Sequence, residues 1–295
     1  MTSHLNWLEP ETVTEAIQML QEDSKQTRII AGGTDLLIQH RQNGTGDTRR
    51  LLSLHRIKEL TDISVEESGE LCIGAAVRIS DLLSSPLLRE RTPLLIEAAA
   101  LIGCKQTRNQ ATIGGNIVNA AACADTVPPL IVHDAELLIQ SPQGQRQLPL
   151  SDFIERPYHT VLRHDELLTA ICIPVPTWTD PQVAFSKLGR RNALNITRIS
   201  VAALLDIDSD GVIQDARMTG GSVMPAPHRI VVAEKELIGK RPQPARLDRA
   251  AAIAAEYVFS LQSERWSTTY KRPVFENMVR DTLLSIVARY KESVL

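Results

Sequence analysis

Two glycine pairs, each following an apolar run, are the residues best suited to bind a charged ligand. The first lies in IIAGGTDLLI, residues 29–38, where Gly32 and Gly33 are followed by Thr34 and Asp35. Glycines leave backbone N–H groups unshielded, and several such groups beside a hydroxyl form an anion-binding site suited to a phosphate. A glycine pair by itself is more often only a tight turn, so this segment alone does not identify a ligand.

The second pair lies in ATIGGNIVNAAACADTVPPL, residues 111–130, whose one formal charge is at Asp125. Thr112, the pair Gly114–Gly115 and Asn116 again supply a hydroxyl, two glycines and an amide side chain. Small side chains fill little core volume, so this composition predicts that a ligand lies against the backbone. We expect Gly114 and Gly115 to admit phosphate groups to within hydrogen-bond distance of the main chain. Together the two bends favour a dinucleotide, each holding one half of its pyrophosphate.

Familiar nucleotide and metal motifs are absent from the sequence. Neither glycine segment is a G-x-G-x-x-G fingerprint, and no G-x-x-x-x-G-K-[ST] motif occurs. His133, His159 and His164 have no companions that suggest a triad or a metal site, so we expect surface or packing roles for them. The pattern assigns no acid–base or nucleophilic residue.

The four cysteines are scattered and form no C-x-x-C pair, which predicts that the chain holds no metal or iron–sulfur cluster. We expect them to be buried, reduced thiols. Cys123 is distinguished only by its position within the segment 111–130. The four positions are Cys72, Cys104, Cys123 and Cys172.

The first half of the chain mixes helices with short strands. Residues 12–21 predict an amphipathic helix whose Thr12 and Glu15 form a capping box. Residues 92–103 predict a second helix, with Thr92 as N-cap and Gly103 as its end. Short apolar runs predict strands at 28–33, 49–57, 70–77 and 166–174, and a hairpin over 135–150 with its turn at 141–144.

A proline-rich segment at 174–181 is the best candidate for a linker. Beyond it, strands come first and helices last, which indicates an α+β unit. The predicted strands cover 183–188, 198–208 and 212–223, and the helices cover 247–262 and 275–291, the last with a buried stripe of Val279, Leu283, Ile286, Val287 and Tyr290.

Composition argues for an ordinary globular protein of 295 residues, 43% hydrophobic and 23% charged. A formal net charge of -3 without a basic tract gives no case for nucleic-acid binding. The first residues lack the pattern of a signal peptide, and no run reaches the roughly 18 apolar residues of a membrane span. We therefore expect a cytoplasmic protein.

The segment AGGTDLL and, about eighty residues later, ATIGGNIVNA and ADTVPPL resemble the FAD-binding subunit of the molybdenum hydroxylases, the xanthine dehydrogenase family that includes carbon monoxide dehydrogenase. The resemblance continues through 162–174 and 185–202 and covers essentially the whole chain. It implies an α+β fold: a two-part FAD-binding domain of the vanillyl-alcohol oxidase/PCMH type at 1–176, with sub-parts of about 1–58 and 59–176. A smaller α+β flavoprotein domain at 182–295 follows.

The resemblance also implies which residues bind FAD. One segment wraps the pyrophosphate, a second meets it from the other side, and four further positions contact the cofactor or lie near it. In that order they are Ile29, Ile30, Ala31, Gly32, Gly33, Thr34, Asp35 and Leu36; Thr112, Ile113, Gly114, Gly115 and Asn116; and Asp125, Leu168, Lys187 and Ile102. Two plainer interpretations stay open, in which Asp125 caps the turn before Val127 and Lys187 is a solvated strand lysine.

The sequence departs from the family pattern in three places. Ala121 and Ala122 stand where many members have Ser-Pro, so this loop can be shaped differently. Asn195 occupies a position where aspartate is common, which leaves no charge there. The chain also lacks the cysteine-bearing insertion that gives the benzoyl-CoA reductase type an additional iron–sulfur cluster.

By resemblance, this subunit works with a small [2Fe-2S] subunit and a large molybdopterin subunit in a heteromeric complex. FAD would receive electrons from the clusters and pass a hydride to NAD+, since a flavin exchanges one or two electrons. The expected substrate of the complex is a purine such as xanthine, with nicotinate, aldehydes, aromatic acyl-CoA thioesters and carbon monoxide open. Two rivals are a stand-alone flavoprotein oxidase or reductase and a non-catalytic nucleotide-binding scaffold.

Overall fold

The computed structural model describes residues 5–178, 181–191, 195–263 and 266–294. It divides into two compact units that each draw on several segments of the chain. Unit 1 comprises Met1–Ser85, Cys104–Ala121 and Ala135–Val175, and unit 2 comprises Pro86–Gly103, Ala122–Asp134 and Pro176–Leu295. Two segments that precede the proline-rich 174–181 therefore belong to the second unit.

Short helices and strands alternate through the first two thirds of the chain, and long helices end it. The strands are β1 Asn6–Leu8, β2 Thr27–Ile30, β3 Arg50–Ser53, β4 Ile63–Val65, β5 Leu71–Gly74, β6 Glu136–Ser141, β7 Gly144–Pro149, β8 Ile154–Arg156, β9 His159–Thr160, β10 Leu167–Ile173, β11 Gln182–Leu188, β12 Ile199–Ile207 and β13 Ile213–Gly221. The helices are α1 Val13–Glu22, α2 Leu36–Asn43, α3 Ile79–Ser84, α4 Pro86–Arg91, α5 Pro93–Ala100, α6 Lys105–Arg108, α7 Ile113–Asn119, α8 Val127–Val132, α9 Leu150–Phe153, α10 Val231–Leu237, α11 Pro244–Ser260 and α12 Thr268–Val294, with a 3-10 turn at Lys58–Leu60.

Unit 1 contains a three-stranded sheet ordered β1-β3-β2 and a five-stranded sheet ordered β4-β5-β10-β6-β7. The small sheet is parallel and the larger one is antiparallel. Helix α1 buries one face because its apolar residues recur at helical spacing. The Thr12 hydroxyl accepts a hydrogen bond from the Glu15 N–H at 3.1 Å, and the Glu15 carboxylate accepts one from the Glu11 N–H at 2.8 Å. The predicted capped helix is thus confirmed.

The expectation that all cysteines are reduced is wrong for one pair. Cys72 on β5 and Cys172 on β10 face each other across the antiparallel ladder and form a disulfide, 100 residues apart in sequence. Cys104 and Cys123 are not in a disulfide. Sequence spacing does not reveal such a pair, because only the strand register brings the two residues together.

Unit 2 is built on the antiparallel sheet β11-β12-β13, against which the C-terminal helices pack. On α12 the stripe predicted from sequence is confirmed for Val279, Leu283, Ile286 and Val287, which are all buried. Tyr290 is partly buried, and its hydroxyl donates to the Asp208 carbonyl at 2.8 Å. The predicted order of strands followed by helices is confirmed in this part of the chain.

The segment 111–130 is not an open ligand wall along its whole length. It forms α7 and, after a short connection, α8, whose six residues Val127–Val132 are all buried. Many of its side chains therefore pack closely within the protein and do not line a ligand site. Among the described residues, no helix is both long enough and apolar enough to cross a membrane.

Candidate functional site

The first glycine segment connects β2 to α2 in a sharp turn, and we call residues 31–35 the first bend. Gly33 has φ +67°, a left-handed conformation that glycine adopts without steric cost. The carbonyls of Gly33 and Asp35 accept the first hydrogen bonds of α2, from Leu37 and Gln39. The first bend therefore ends β2 and forms the N-terminal end of α2.

The backbone N–H groups of the first bend are available to a ligand. Across residues 32–36, these groups donate no hydrogen bond to any atom of the described chain. Unpaired N–H groups at the start of a helix carry partial positive charge and suit an anion. Gly32, Gly33 and Thr34 are partly exposed. This geometry fits a phosphate or diphosphate, as the sequence predicted for this segment.

The second glycine segment begins α7, and we call residues 112–116 the second bend. The Thr112 hydroxyl caps the helix by accepting the Gly115 N–H at 3.1 Å. The N–H groups of Ile113 and Gly114 donate to the carbonyls of Val77 and Ala75 at 3.0 and 2.9 Å. The Asn116 N–H donates to the Thr112 carbonyl, so none of these four N–H groups is left to bind a ligand.

The expected role of Gly114 therefore needs correction. A Cβ at Gly114 would lie 2.6 Å from the Ala75 carbonyl oxygen, so glycine is required there for backbone packing. The residue is buried, and its N–H already has a protein acceptor. Gly115 is different, because it is partly exposed and a Cβ there would meet only side chains, the Thr112 Oγ1 at 2.8 Å and the Ala31 Cβ at 3.8 Å. The four helical N–H groups of the second bend are thus all used within the protein, unlike the N–H groups of the first bend.

The two bends lie side by side in unit 1. A Cβ at Gly32 would lie 2.0 Å from the Gln110 carbonyl oxygen and 2.9 Å from the Ala111 Cα, so only glycine permits this approach. Farther along the two helices, Gln39 Nε2 donates to Asn119 Oδ1 at 3.5 Å. Segments about eighty residues apart thus border one surface, as a shared diphosphate site requires.

Leu168 is placed in the same unit by β10. Its side chain is buried, and its neighbour Thr169 accepts the Ala75 N–H at 2.9 Å. Glu166, just before β10, accepts two hydrogen bonds of 2.8 Å from Arg146. Burial alone would raise the pKa of Glu166, but the hydrogen bonds from Arg146 and from the Arg163 N–H lower it below its usual value.

A second group of predicted residues meets in unit 2. Lys187 Nζ donates to Asp125 Oδ2 at 2.6 Å and to the Leu101 carbonyl at 2.9 Å, beside Ile102. The Lys187 and Asp125 side chains are each only 6% exposed, so the solvated interpretation of Lys187 is wrong. Thr126 precedes α8 as its N-cap, and the Asp125 carboxylate bonds Lys187 and Thr197 instead of capping the helix.

Thr197 is a member of this group that sequence reasoning missed. Its hydroxyl donates to Asp125 Oδ1 at 2.6 Å. Burial raises the pKa of Asp125, and the hydrogen bonds from Lys187 and Thr197 oppose that rise. Thr197 and Asp125 are 72 residues apart, and nothing in the local pattern around Thr197 marks it as the partner of a buried acid.

The family-pattern departures and the histidines named from the sequence lie in other local environments. The Asn195 amide donates to the Arg191 carbonyl, which an aspartate could not do, and the Ala122 carbonyl accepts the Ser222 hydroxyl at 2.9 Å. His133 is buried against Trp178, whereas His159 and His164 are exposed.

Comparison with known families covers both parts of the chain. Residues 3–176 match the FAD binding domain in molybdopterin dehydrogenase, and residues 184–286 match the CO dehydrogenase flavoprotein C-terminal domain. The putative xanthine dehydrogenase FAD-binding subunit XdhB of Escherichia coli K12 is 33% identical over 278 residues, 94% of each chain. The nicotinate dehydrogenase FAD-subunit of Eubacterium barkeri is 29% identical over 94% of each chain.

Solved structures of this kind superpose closely. Carbon monoxide dehydrogenase from Hydrogenophaga pseudoflava matches with a TM-score of 0.89 and 29% identity, covering 97% of this chain and 98% of that one. Quinoline 2-oxidoreductase from Pseudomonas putida 86 matches with a TM-score of 0.88 and 26% identity over 96% of both chains. The fold is therefore a FAD-binding domain followed by a C-terminal flavoprotein domain. The chain belongs to the FAD-binding, or medium, subunits of the molybdenum hydroxylases, the xanthine dehydrogenase family.

Proposed function

We propose that the first bend binds the pyrophosphate of FAD, with the second bend as the opposing wall. The observation that carries this proposal is the run of unpaired N–H groups at residues 32–36 beside the close approach of Gly32 to Gln110. Those N–H groups would hold the phosphate oxygens, and Thr34 would add a hydroxyl. Thr112 holds the second bend in place by capping α7.

The remaining predicted residues have supporting roles in this proposal. The Asp125 carboxylate, oriented by Thr197 and Lys187, would accept a hydrogen bond from the cofactor through a remaining lone pair. The Lys187 charge balances that carboxylate. Leu168 and Ile102 would supply apolar contact, and the boundaries 1–176 and 182–295 are the domain limits that we propose.

We further propose that the chain connects [2Fe-2S] clusters on a small partner subunit to NAD+. When bound, FAD supplies the conversion between one-electron transfer and hydride transfer. The protein binds the cofactor, fixes its position and sets the charges around it. Substrate oxidation belongs in this scheme to a large molybdopterin subunit, and the NAD+ acceptor favours a cytoplasmic location.

For the whole complex we propose a purine substrate such as xanthine. Its support is the identity of 33% with the putative xanthine dehydrogenase subunit. Matches to subunits named for nicotinate, glyceraldehyde and carbon monoxide dehydrogenases, at 29% identity, keep those substrate classes as the alternatives.

In the first test, the flavin spectrum of the purified chain is followed while NADH, xanthine, a reduced quinone or reduced ferredoxin is added anaerobically. We expect NADH to bleach bound flavin and xanthine to leave it unchanged until the partner subunits are added. Bleaching by a reduced quinone or ferredoxin but not by NADH would refute NAD+ as acceptor. Bleaching by an oxidisable substrate without partners would favour the stand-alone oxidase, and a protein that ignores added FAD would favour the scaffold.

The substrate is tested with the complex that co-purifies with the chain. We expect xanthine-dependent NADH formation to exceed that with nicotinate, an aldehyde or carbon monoxide. A complex that turns over one of those three and not xanthine would overturn the purine assignment and leave the FAD assignment intact.

A further inference from the structure

The disulfide of unit 1 lies on a face of the five-stranded sheet that the flavin proposal does not use. The register pairs Cys72 directly with Cys172, and Cys172 directly with Glu136 on β6. Directly paired residues project on the same face, and so does Glu70, two positions before Cys72. The alternate residues, including Ile73 and Ile171, are buried in the core. The sulfur atoms therefore share a face with carboxylates.

Three side chains of types that bind metal ions lie together on this face. One carboxylate oxygen of Glu70 and the two sulfur atoms of Cys72 and Cys172 all lie within 4.8 Å of one another. Cys172 is 4% exposed, whereas Cys72 and Glu70 are partly exposed, so the group is reachable from solvent on one side. Glu136 is close enough to interact electrostatically with Glu70.

The charge on this face is unbalanced. Two further carboxylates, those of Glu136 and Glu66, interact electrostatically with Glu70. In the described part of the chain, none of these three carboxylates forms an ion pair with a lysine, arginine or histidine. A bound cation would supply the missing positive charge.

We propose that Cys72, Cys172 and Glu70 form a site for a thiophilic divalent cation, with Zn²⁺ as the reference ion, when the disulfide is reduced. Two thiolates and one carboxylate are ligands that Zn²⁺ takes in tetrahedral sites, with water or Glu136 in the fourth position. The disulfide form has no thiolate and does not bind the ion. The site is independent of FAD.

The reactions balance with a dithiol as reductant. The dithiol gives two electrons and two protons to the Cys72–Cys172 bond, which breaks to two thiols, while the reductant forms its own S–S bond and becomes a cyclic disulfide. Zn²⁺ then replaces the two thiol protons and releases them to the buffer. Either the disulfide or the metal ion therefore links β5 to β10. In the reduced protein, the stabilisation of the sheet increases with the concentration of free Zn²⁺.

The experiment uses the full chain, which is reduced with a dithiol that is then removed in the absence of oxygen. Zn²⁺ is titrated into it by calorimetry, and buffers of different ionisation enthalpy report the number of protons released. We expect one equivalent to bind to the reduced chain, none to the oxidised chain, and about two protons to be released. Cys72→Ser should abolish the binding. Glu70→Gln should weaken it roughly tenfold or more, while Glu67→Gln, an exposed neighbour, leaves it unchanged.

Two results would overturn the proposal. One is that the reduced chain binds no more Zn²⁺ than Cys72→Ser does. The other is equal affinity in Glu70→Gln and Glu67→Gln, and this comparison holds even if Cys72→Ser does not fold, because both variants keep both cysteines. Retained flavin absorbance in the two glutamine variants checks their folding and leaves the FAD assignment untouched by either outcome.

Discussion

The two glycine bends share a composition but differ in how they use their backbone. In the first bend, the N–H groups of residues 32–36 have no acceptor within the described protein. In the second, the N–H groups of residues 113–116 all donate to protein oxygens. A Gly-Gly pair beside a hydroxyl can therefore mark either a ligand-binding backbone or a close packing contact. The two cases differ in whether other residues, here Ala75 and Val77, supply carbonyl acceptors for the N–H groups of the bend.

The largest effect on FAD affinity is expected from Gly32→Ala, which disrupts the contact between the bends. The new Cβ would lie 2.0 Å from the Gln110 carbonyl oxygen, so the bends must separate. We expect FAD affinity to fall at least about 100-fold, equivalent to about 2.8 kcal/mol, measured by flavin fluorescence titration. Gly44→Ala is the control, because Gly44 has no atom within 4 Å of a new Cβ, so alanine there adds backbone strain at φ +72° without a steric clash. Equal loss of FAD in both variants would contradict the account.

The second largest effect concerns folding stability at acid pH, which depends on the buried His133 and not on either bend. Burial, reinforced by the charge of Arg217, lowers the pKa of His133 to about 4. The unfolded chain takes up this proton near pH 6.5, so folding stability decreases as the pH falls from about 6.5 to about 4, by about 3 kcal/mol in total. Urea denaturation of His133→Leu should lack this part of the slope, whereas exposed His164→Gln should keep it. Identical slopes in the two variants would refute the assignment.

A third variant, Gly114→Ala, tests whether the second bend is a packing contact. Its Cβ would lie 2.6 Å from the Ala75 carbonyl oxygen, and we expect a loss of about 1–3 kcal/mol in the free energy of unfolding. FAD affinity of the folded protein should change less than about threefold, because the N–H of Gly114 is already paired. A fall in FAD affinity as large as that of Gly32→Ala would show that the second bend binds phosphate directly.

The smallest effect is expected from Thr112→Val, which removes the cap of α7 and leaves the Gly115 N–H without its acceptor. The expected cost is about 1 kcal/mol in the free energy of unfolding. Thr112→Ser keeps the hydroxyl and should recover most of it. Chemical denaturation measures both, and a valine variant as stable as the wild type would contradict the capping role.

Local sequence signals predicted the elements that depend on local chemistry. Thr12 and Glu15 identified the start of α1, and apolar spacing identified the buried face of α12. The glycine pairs identified both bends, because a left-handed or closely packed backbone position requires glycine. The resemblance supplied the family, and the comparisons confirm it.

Long-range pairings could not be predicted in this way. The Cys72–Cys172 bond, the Thr197–Asp125 hydrogen bond and the contact of Gly114 with Ala75 each join residues that are far apart in sequence. Short helices such as α7 were also missed, because a glycine pair and small side chains give little helical periodicity. Tertiary packing determines these features.

Amide hydrogen exchange on the FAD-free and FAD-loaded chain tests the central claim most directly. Unpaired N–H groups exchange quickly, whereas those bonded to protein carbonyls are protected. We predict that residues 32–36 exchange rapidly without FAD and become protected when it binds, while residues 113–116 are protected in both forms. Unchanged exchange at 32–36 on FAD binding, or new protection confined to 113–116, would contradict the assignment of the first bend as the diphosphate site.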